Sequence, residues 1–286
     1  MTKTDSLREA KTWGQALDYT IRHRWKYLRS AKTALINAAH ITEYAGKSLP
    51  LTRMSKARWW MEFISEQKDQ ARSGGTINRI LSAGSTVMKF TQRAELQPHS
   101  FPAIERCQEG ESRQTFFTKE DTHNMAHIAR DLWGDRWGNN MSDAMLVSFF
   151  TGVRQGELLS LRPADYFADL NQLHIGGNSW NRTKSNKTRT LAVHPAISDI
   201  LKNRLSNFEL FGSDWNNKDQ LYAAFEKVRS RAGFDSTYVW HSFRHGFGTA
   251  MGAVTHPRTL MAALGHTTID MSLKYCKQND GALHAA

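Results

Sequence analysis

The stretch 263-ALGHTTIDMSLKYCK-277 sets His266 and Tyr275 nine residues apart. A single straight helix makes about two and a half turns over that span and would put the two side chains on opposite faces. Gly265 and the Thr267–Thr268 pair favour another reading. Gly suits the position just past a helix end, and Thr suits the cap that starts the next helix. The segment therefore reads as helix, turn, helix, a geometry that can bring His266 and Tyr275 to one place. Taken alone, the pair reads as a half-buried aromatic beside a surface histidine at a turn.

The residues upstream bear on that choice. In 239-VWHSFRHGFGTAM-251, His241 and Arg244 stand at i, i+3 and share a helix face. His245 reads as a packing residue. His241 and His245 also have the i, i+4 spacing of a helical zinc site. No Glu lies between them, however, and Arg244 would repel a dication. Further back, 151-TGVRQGELLSLRP-163 carries Arg154 after an apolar helix and a Gly, then a short helix stopped by Pro163. An Arg in such an apolar setting stays charged and needs an acid or an anion. Glu157 offers the acid, and phosphate is the anion its planar fork suits. Between these segments, 171-NQLHIGG-177 and 188-TRTLAVH-194 alternate like strands around a polar stretch. Arg182, Lys184, Lys187 and Arg189 fall at the tip of that hairpin, as a solvated turn or as cations over a phosphate.

Taken in order, "TGVRQGELLSLR", "TKSNKTR", "HSFRH", "ALGH" and the Tyr nine residues after that His resemble the tyrosine recombinase family, the phage integrases and Xer-type recombinases. The motif match spans Thr151 to Tyr275. The resemblance implies that Arg154 is the first catalytic Arg and Lys184 the hairpin Lys. It makes His241 and Arg244 the His-x-x-Arg pair, His266 the following His and Tyr275 the nucleophile. Where family hairpins often have glycines this one has Thr183 and Ser185, so Lys187 stays open beside Lys184. The resemblance further implies site-specific cutting and rejoining of double-stranded DNA through a 3′-phosphotyrosine, with no metal or nucleotide cofactor. The implied assembly is a homo-tetramer on DNA with a dimer per site, and accessory DNA-bending or directionality proteins are further implied partners.

These residue types suit that chemistry. A tyrosine hydroxyl titrates near 10 and needs help to lose its proton, and a histidine can accept or position it. Two guanidinium forks can hold the charge that gathers on the phosphorus oxygens at the transition state. A lysine can protonate the departing 5′ oxygen. Two other readings stand beside this one: a type IB topoisomerase, which shares the tyrosine chemistry, and a DNA-binding regulator with an inactive site. The regulator leaves Arg154, Arg244, His266 and Tyr275 without a purpose. Cys276 reads as a small packing residue, since nothing nearby would lower its pKa.

The 286 residues carry a formal charge of +11, which points to a polyanionic partner, nucleic acid first and an anionic membrane surface second. Up to Ser112 there are 18 basic and 11 acidic residues, a net +7, against 20 and 16, a net +4, in the rest. The first part is thus the stronger candidate for gripping a DNA backbone. Four stretches there, 6–23, 29–46, 55–68 and 76–96, space apolar residues at helical intervals, with Leu35, Ile36, Ala39 and Tyr44 in the second. They suggest a small bundle.

The fold expected is mainly α with a small β-sheet. It comprises a helical core-binding bundle over 1–97, a linker over 98–117 and an α+β catalytic domain with a C-terminal tail over 118–286, in which three or four helices follow the hairpin. A bundle that begins within the first dozen residues leaves no room for an arm-binding domain. The tail carries one large apolar residue, Leu283, as an anchor for a neighbouring subunit. Cys107 and Cys276 lack metal spacing, and there is no signal-peptide core or run of about 18 apolar residues. A cytoplasmic, reduced protein is the expectation.

Overall fold

The computed structural model describes residues 9–28, 30–110, 115–180, 188–215 and 217–277. The chain divides into two compact units, Met1–Ser112 and Arg113–Ala286.

The first unit is a bundle of α1 (Trp13–His23), α2 (Ala31–Ala45), the single-turn α3 (Leu51–Met54), α4 (Ala57–Asp69) and α5 (Gly74–Arg93). Thr12 and Gln15 form a capping box at the start of α1, which satisfies two donors the helix end leaves open. Trp13, Trp60, Phe63, Ile77 and Ile80 are buried in the core. Both buried indoles have acceptors: Trp13 Nε1 donates to Thr42 Oγ1 at 2.8 Å and Trp60 Nε1 to the Met54 carbonyl at 2.7 Å.

On α2 the buried residues are Ala38 and Ile41, while Leu35 and Ile36 are exposed. The helical spacing is real, but the helix turns its smaller face to α5. Residues 98–110, expected as linker, lie along the bundle: Phe101, Ile104 and Cys107 pack on its core. Asn78 grips Cys107 at both backbone groups, donating to its carbonyl and accepting from its N–H, each at 2.9 Å. Pro98 and Pro102 remove helical periodicity without removing the apolar contacts.

The second unit opens with α6 (Lys119–Thr151). A Thr118–Asp121 box caps it: Asp121 N–H donates to Thr118 Oγ1 at 3.1 Å, and Thr118 N–H to Asp121 Oδ2 at 2.9 Å. Gly134, at φ 66°, ψ −160°, breaks α6 into two helices, a conformation open to Gly and strained for other residues. The chain folds back so closely there that a Cβ on Gly138 would stand 2.6 Å from Arg130 Cα. Gly152 ends α6 in the left-handed region at φ 61°, and α7 (Gln155–Ser160) follows.

The sheet is antiparallel, in the order β1 (Tyr166–Phe167), β2 (Gln172–Ile175), β3 (Arg189–Ala192), with Tyr166 opposite Leu173 and Leu173 opposite Leu191. The β2–β3 hairpin is the expected one; β1, two residues long, is too short to show a period. Five helices follow among the described residues, one more than the upper expectation: α8 (Pro195–Lys202), α9 (Lys218–Arg231), α10 (His241–Gly252), α11 (Pro257–Leu264) and α12 (Asp270–Lys277). One core of Phe117, Met145, Phe149, Leu173, Phe225 and Phe243 binds α6, α9, α10 and the sheet together. Tyr275 packs with Leu260 and Leu264 in a second cluster.

Candidate active site

Gly265 ends α11 at φ 62°, and α12 starts at Asp270, so the chain makes the helix–turn–helix the opening stretch suggests. It brings His266 and Tyr275 together: their rings lie nearly parallel, 12° apart, with centroids 6.1 Å apart. His266 is buried, and its Nδ1 lies 2.8 Å from the hydroxyl of the fully buried Ser272, which fixes the ring from the next helix. Burial, then the charges of Arg244, Arg154 and Arg189, push His266 down to about 4, so the imidazole is neutral near pH 7.

Tyr275 is 9% exposed. It lies against the glycine face of α10, where a Cβ on Gly248 would approach its Cε1 to 2.7 Å and one on Gly252 its carbonyl carbon to 3.1 Å. Its hydroxyl meets a residue read from the sequence as packing. His245 Nδ1 is 2.8 Å from Tyr275 Oη. The only local signal for His245 in the sequence is its i, i+4 relation to His241, which carries no information about Tyr275. His241 itself is exposed at the start of α10, its ring edge-on to His245 at 4.8 Å. Burial raises the Tyr275 phenol above its ordinary value, with Arg244 acting the other way.

Arg244 is 2% exposed. Its guanidinium donates to the Gly152 carbonyl at 2.7 Å and to the Leu264 carbonyl. These are carbonyls at the C-terminal ends of α6 and α11, which have no partner within their helices and lie at the negative ends of the helix dipoles. One cation therefore ties three helices at the site. Burial and then the Arg154 and Arg189 charges lower its pKa, yet a guanidinium keeps its proton.

Arg154 donates to Glu157 Oε1 at 2.8 Å, and its backbone N–H to Oε2 at 2.9 Å. That is the acid partner the sequence offered. Glu157 has a second partner: Arg189 donates to its two oxygens at 2.6 and 3.3 Å. The expectation for Arg189 is therefore corrected, since it sits on β3 as a buried ion-pair member and not at a solvated tip. Its alternation with polar neighbours gave no sign of an acid 32 residues away. Arg154 keeps 30% of its side chain exposed against 6% for Arg189, so Arg154 is the member of this trio that an incoming anion meets. Burial would raise Glu157, but the hydrogen bond and charge of Arg189, then Arg154, bring it down to about 2.

Lys184, with Arg182 and Lys187, falls outside the described residues, as does the tail with Leu283. The base of that hairpin loop is described. The fully buried Asp165 accepts from Asn178 Nδ2 at 2.8 Å, Trp180 Nε1 at 3.1 Å and the Arg162 N–H at 3.0 Å. This anchor, missed in the sequence, pins the segment entering the loop.

Residues 115–281 match the phage integrase family. The chain belongs to this family. As a phage integrase family member it is a tyrosine-type site-specific recombinase. Solved structures are similar over nearly the whole chain. An integrase of transposon Tn1549 in complex with transposon right end DNA is 16% identical, at a TM-score of 0.75 over 96% of this chain and 100% of that one. A lambda integrase tetramer bound to a Holliday junction is 13% identical, at a TM-score of 0.74 over 94% of this chain and 78% of that one. A lambda integrase dimer bound to a COC′ core site gives 13% and 0.73 over the same shares. At these identities the likeness is one of fold. No curated protein matches the sequence.

Proposed function

We propose that this integrase family member cuts and rejoins double-stranded DNA with Tyr275 as the nucleophile and no metal or nucleotide cofactor. The observation that carries the reading is the meeting of Tyr275, two imidazoles and the Arg244 cation around one phenol, with Arg154 open beside them. The Tyr275 oxygen attacks phosphorus, leaving a 3′-phosphotyrosyl link and a free 5′-OH. Arg154 and Arg244 hold the charge that develops on the non-bridging oxygens. His241 and His266 complete the polar wall of the site. Lys184, or its neighbour Lys187, protonates the leaving 5′ oxygen. Because the bond energy is kept in the phosphotyrosine, another strand's 5′-OH can reverse the attack.

Strand exchange between two duplexes needs four cuts, and each chain has one Tyr275, so the active form is a homo-tetramer with a dimer on each site. The lambda integrase tetramer on a Holliday junction supports that stoichiometry. The basic bundle acts as the core-binding domain, the second unit as the catalytic one, and the tail joins neighbouring subunits. The setting is the cytoplasm, where the chromosome lies open to it. Deleting residues 279–286 is expected to spare single-site binding and abolish pairing of two sites.

The test is to incubate the protein with phage or genomic DNA in EDTA, trap denaturant-resistant protein–DNA adducts, and sequence the joined ends. Tyr275→Phe is expected to bind these sites and form no adduct. An adduct with Tyr275→Phe, or a need for Mg²⁺, overturns the reading.

A further inference from the structure

We propose that Arg189 is a positioning residue for the reaction: it neutralises Glu157, so that this acid orients Arg154 without cancelling the charge Arg154 brings to phosphate. The proposal rests on the reading of Arg154 as a phosphate-holding group and adds the residue that keeps it a free cation.

Glu157 stands at the centre of the trio. Its side chain is 5% exposed, and it holds Arg154 at two points, the guanidinium at 2.8 Å and the backbone N–H at 2.9 Å. Those two bonds fix where the Arg154 fork stands at the start of α7. With that partner alone, carboxylate and guanidinium would sum to zero, and an approaching phosphate would meet a neutral pair. Arg189 changes the sum. It donates to the same carboxylate at 2.6 and 3.3 Å. Two guanidinium ions, which keep their protons, then share one anion, and the trio holds one excess positive charge.

Burial decides where that excess is felt. The Arg189 side chain is 6% exposed and that of Arg154 is 30% exposed. On its other side Arg189 is closed off by the turn between α11 and α12, where a Cβ on Gly265 would stand 3.2 Å from its Nη1. Among the described residues its ion pairing is with Glu157 alone. The excess charge therefore faces outward at Arg154, and Arg189 acts on phosphate through its neighbours. A buried carboxylate is weakly screened, so neutralising it matters more here than on a surface. The neighbouring groups feel the same balance: Arg154 and Arg189 both push Arg244 and His266 down, and Glu157 opposes them at Arg244.

The experiment uses a duplex carrying a mapped site and compares wild type, Arg154→Ala, Arg189→Gln and the double variant Glu157→Gln/Arg189→Gln. Single-turnover cleavage is measured at a temperature where thermal unfolding shows each chain folded. Binding is titrated against salt in a Tyr275→Phe background, which separates it from cleavage. Arg189→Gln is expected to lower the slope of log affinity against log salt by about 0.9, as Arg154→Ala does, although its own side chain is buried. A merely structural ion pair would leave that slope unmoved. Cleavage by Arg189→Gln is expected to fall about thirtyfold or more, toward the loss from removing an oxyanion donor outright. The double variant discards the carboxylate charge together with that of Arg189, so the slope returns to the wild-type value and the rate to within about tenfold of it.

A wild-type slope in Arg189→Gln, whether cleavage is fast or slow, overturns the proposal. Should Arg189→Gln fail to fold, the double variant decides, since it leaves no buried charge uncompensated: the slope and rate of Arg154→Ala in that variant overturn the proposal, and those of wild type support it. Arg154→Ala cleaving at the wild-type rate sinks the reading of Arg154 itself, separately from Arg189.

Discussion

Gly248 and Tyr275 are in contact so close that a single added methyl has no room: a Cβ on Gly248 would stand 2.7 Å from Cε1 of the ring. Gly248 is helical, where Ala is ordinarily favoured by about 1 kcal/mol. Gly248→Ala is therefore expected to slow covalent adduct formation by about a hundredfold, the scale of a displacement near 1 Å at a reacting group. Single-turnover cleavage and thermal unfolding, measured together, check this. A wild-type cleavage rate in Gly248→Ala would show that the ring has space to give.

Arg244 and Arg154 differ in what their loss exposes. Arg154→Ala leaves Glu157 paired with Arg189, so cleavage is expected to fall by two decades or more while stability changes little. Losing one preorganised donor to a developing oxyanion costs about 2.7–4 kcal/mol. Arg244→Ala should slow cleavage as much and also lower the unfolding free energy, because two buried helix-end carbonyls lose their donor at about 1–3 kcal/mol each. Equal melting temperatures for the two variants would contradict the tie between α6, α10 and α11.

Glu157 predicts a pH dependence. Its folded pKa, about 2, lies below the ordinary 4.5. Unfolding therefore takes up a proton below about pH 4.5, and the stability that Glu157 contributes is present above that value and lost as pH falls toward 2. Glu157→Gln is expected to be less stable than wild type at pH 7, where it leaves the buried Arg189 without a counter-charge, by about 3–5 kcal/mol. The gap should narrow steadily below pH 4.5. Denaturant titrations at pH 7, 4 and 3 measure it, and a gap that widens in acid would refute the linkage.

Salt dependence tests the division of labour between the units. Each phosphate contacted adds about −0.9 to the slope of log affinity against log salt. With a net +7 up to Ser112 and +4 beyond, the fragment 113–286 should show a clearly shallower slope than the whole chain. Equal slopes would remove the first unit from the DNA interface.

Local features were legible from the sequence. The β2–β3 hairpin and the Gly265 turn each follow from side chains a few residues apart. The face of α2 was misjudged because Leu35 and Ile36 look like core residues, while Ala38 and Ile41 are the ones that fit against α5. Apolar character marks a helix surface able to be buried; the neighbour's shape chooses which part of it is.

The order Arg154, His241, Arg244, His266, Tyr275 and the net charge were determined by the sequence, and with them the family and the class of chemistry. What only the tertiary structure decided is who touches whom. His245 meets the Tyr275 hydroxyl across 30 residues, Arg189 meets Glu157 across 32, and Arg244 meets the Gly152 carbonyl across 92. Helix caps and turns are settled by groups within one or two turns of each other. A contact between distant residues depends on how whole helices approach, here through a bare glycine face and a shared buried cation, and no local spacing in the chain encodes that distance.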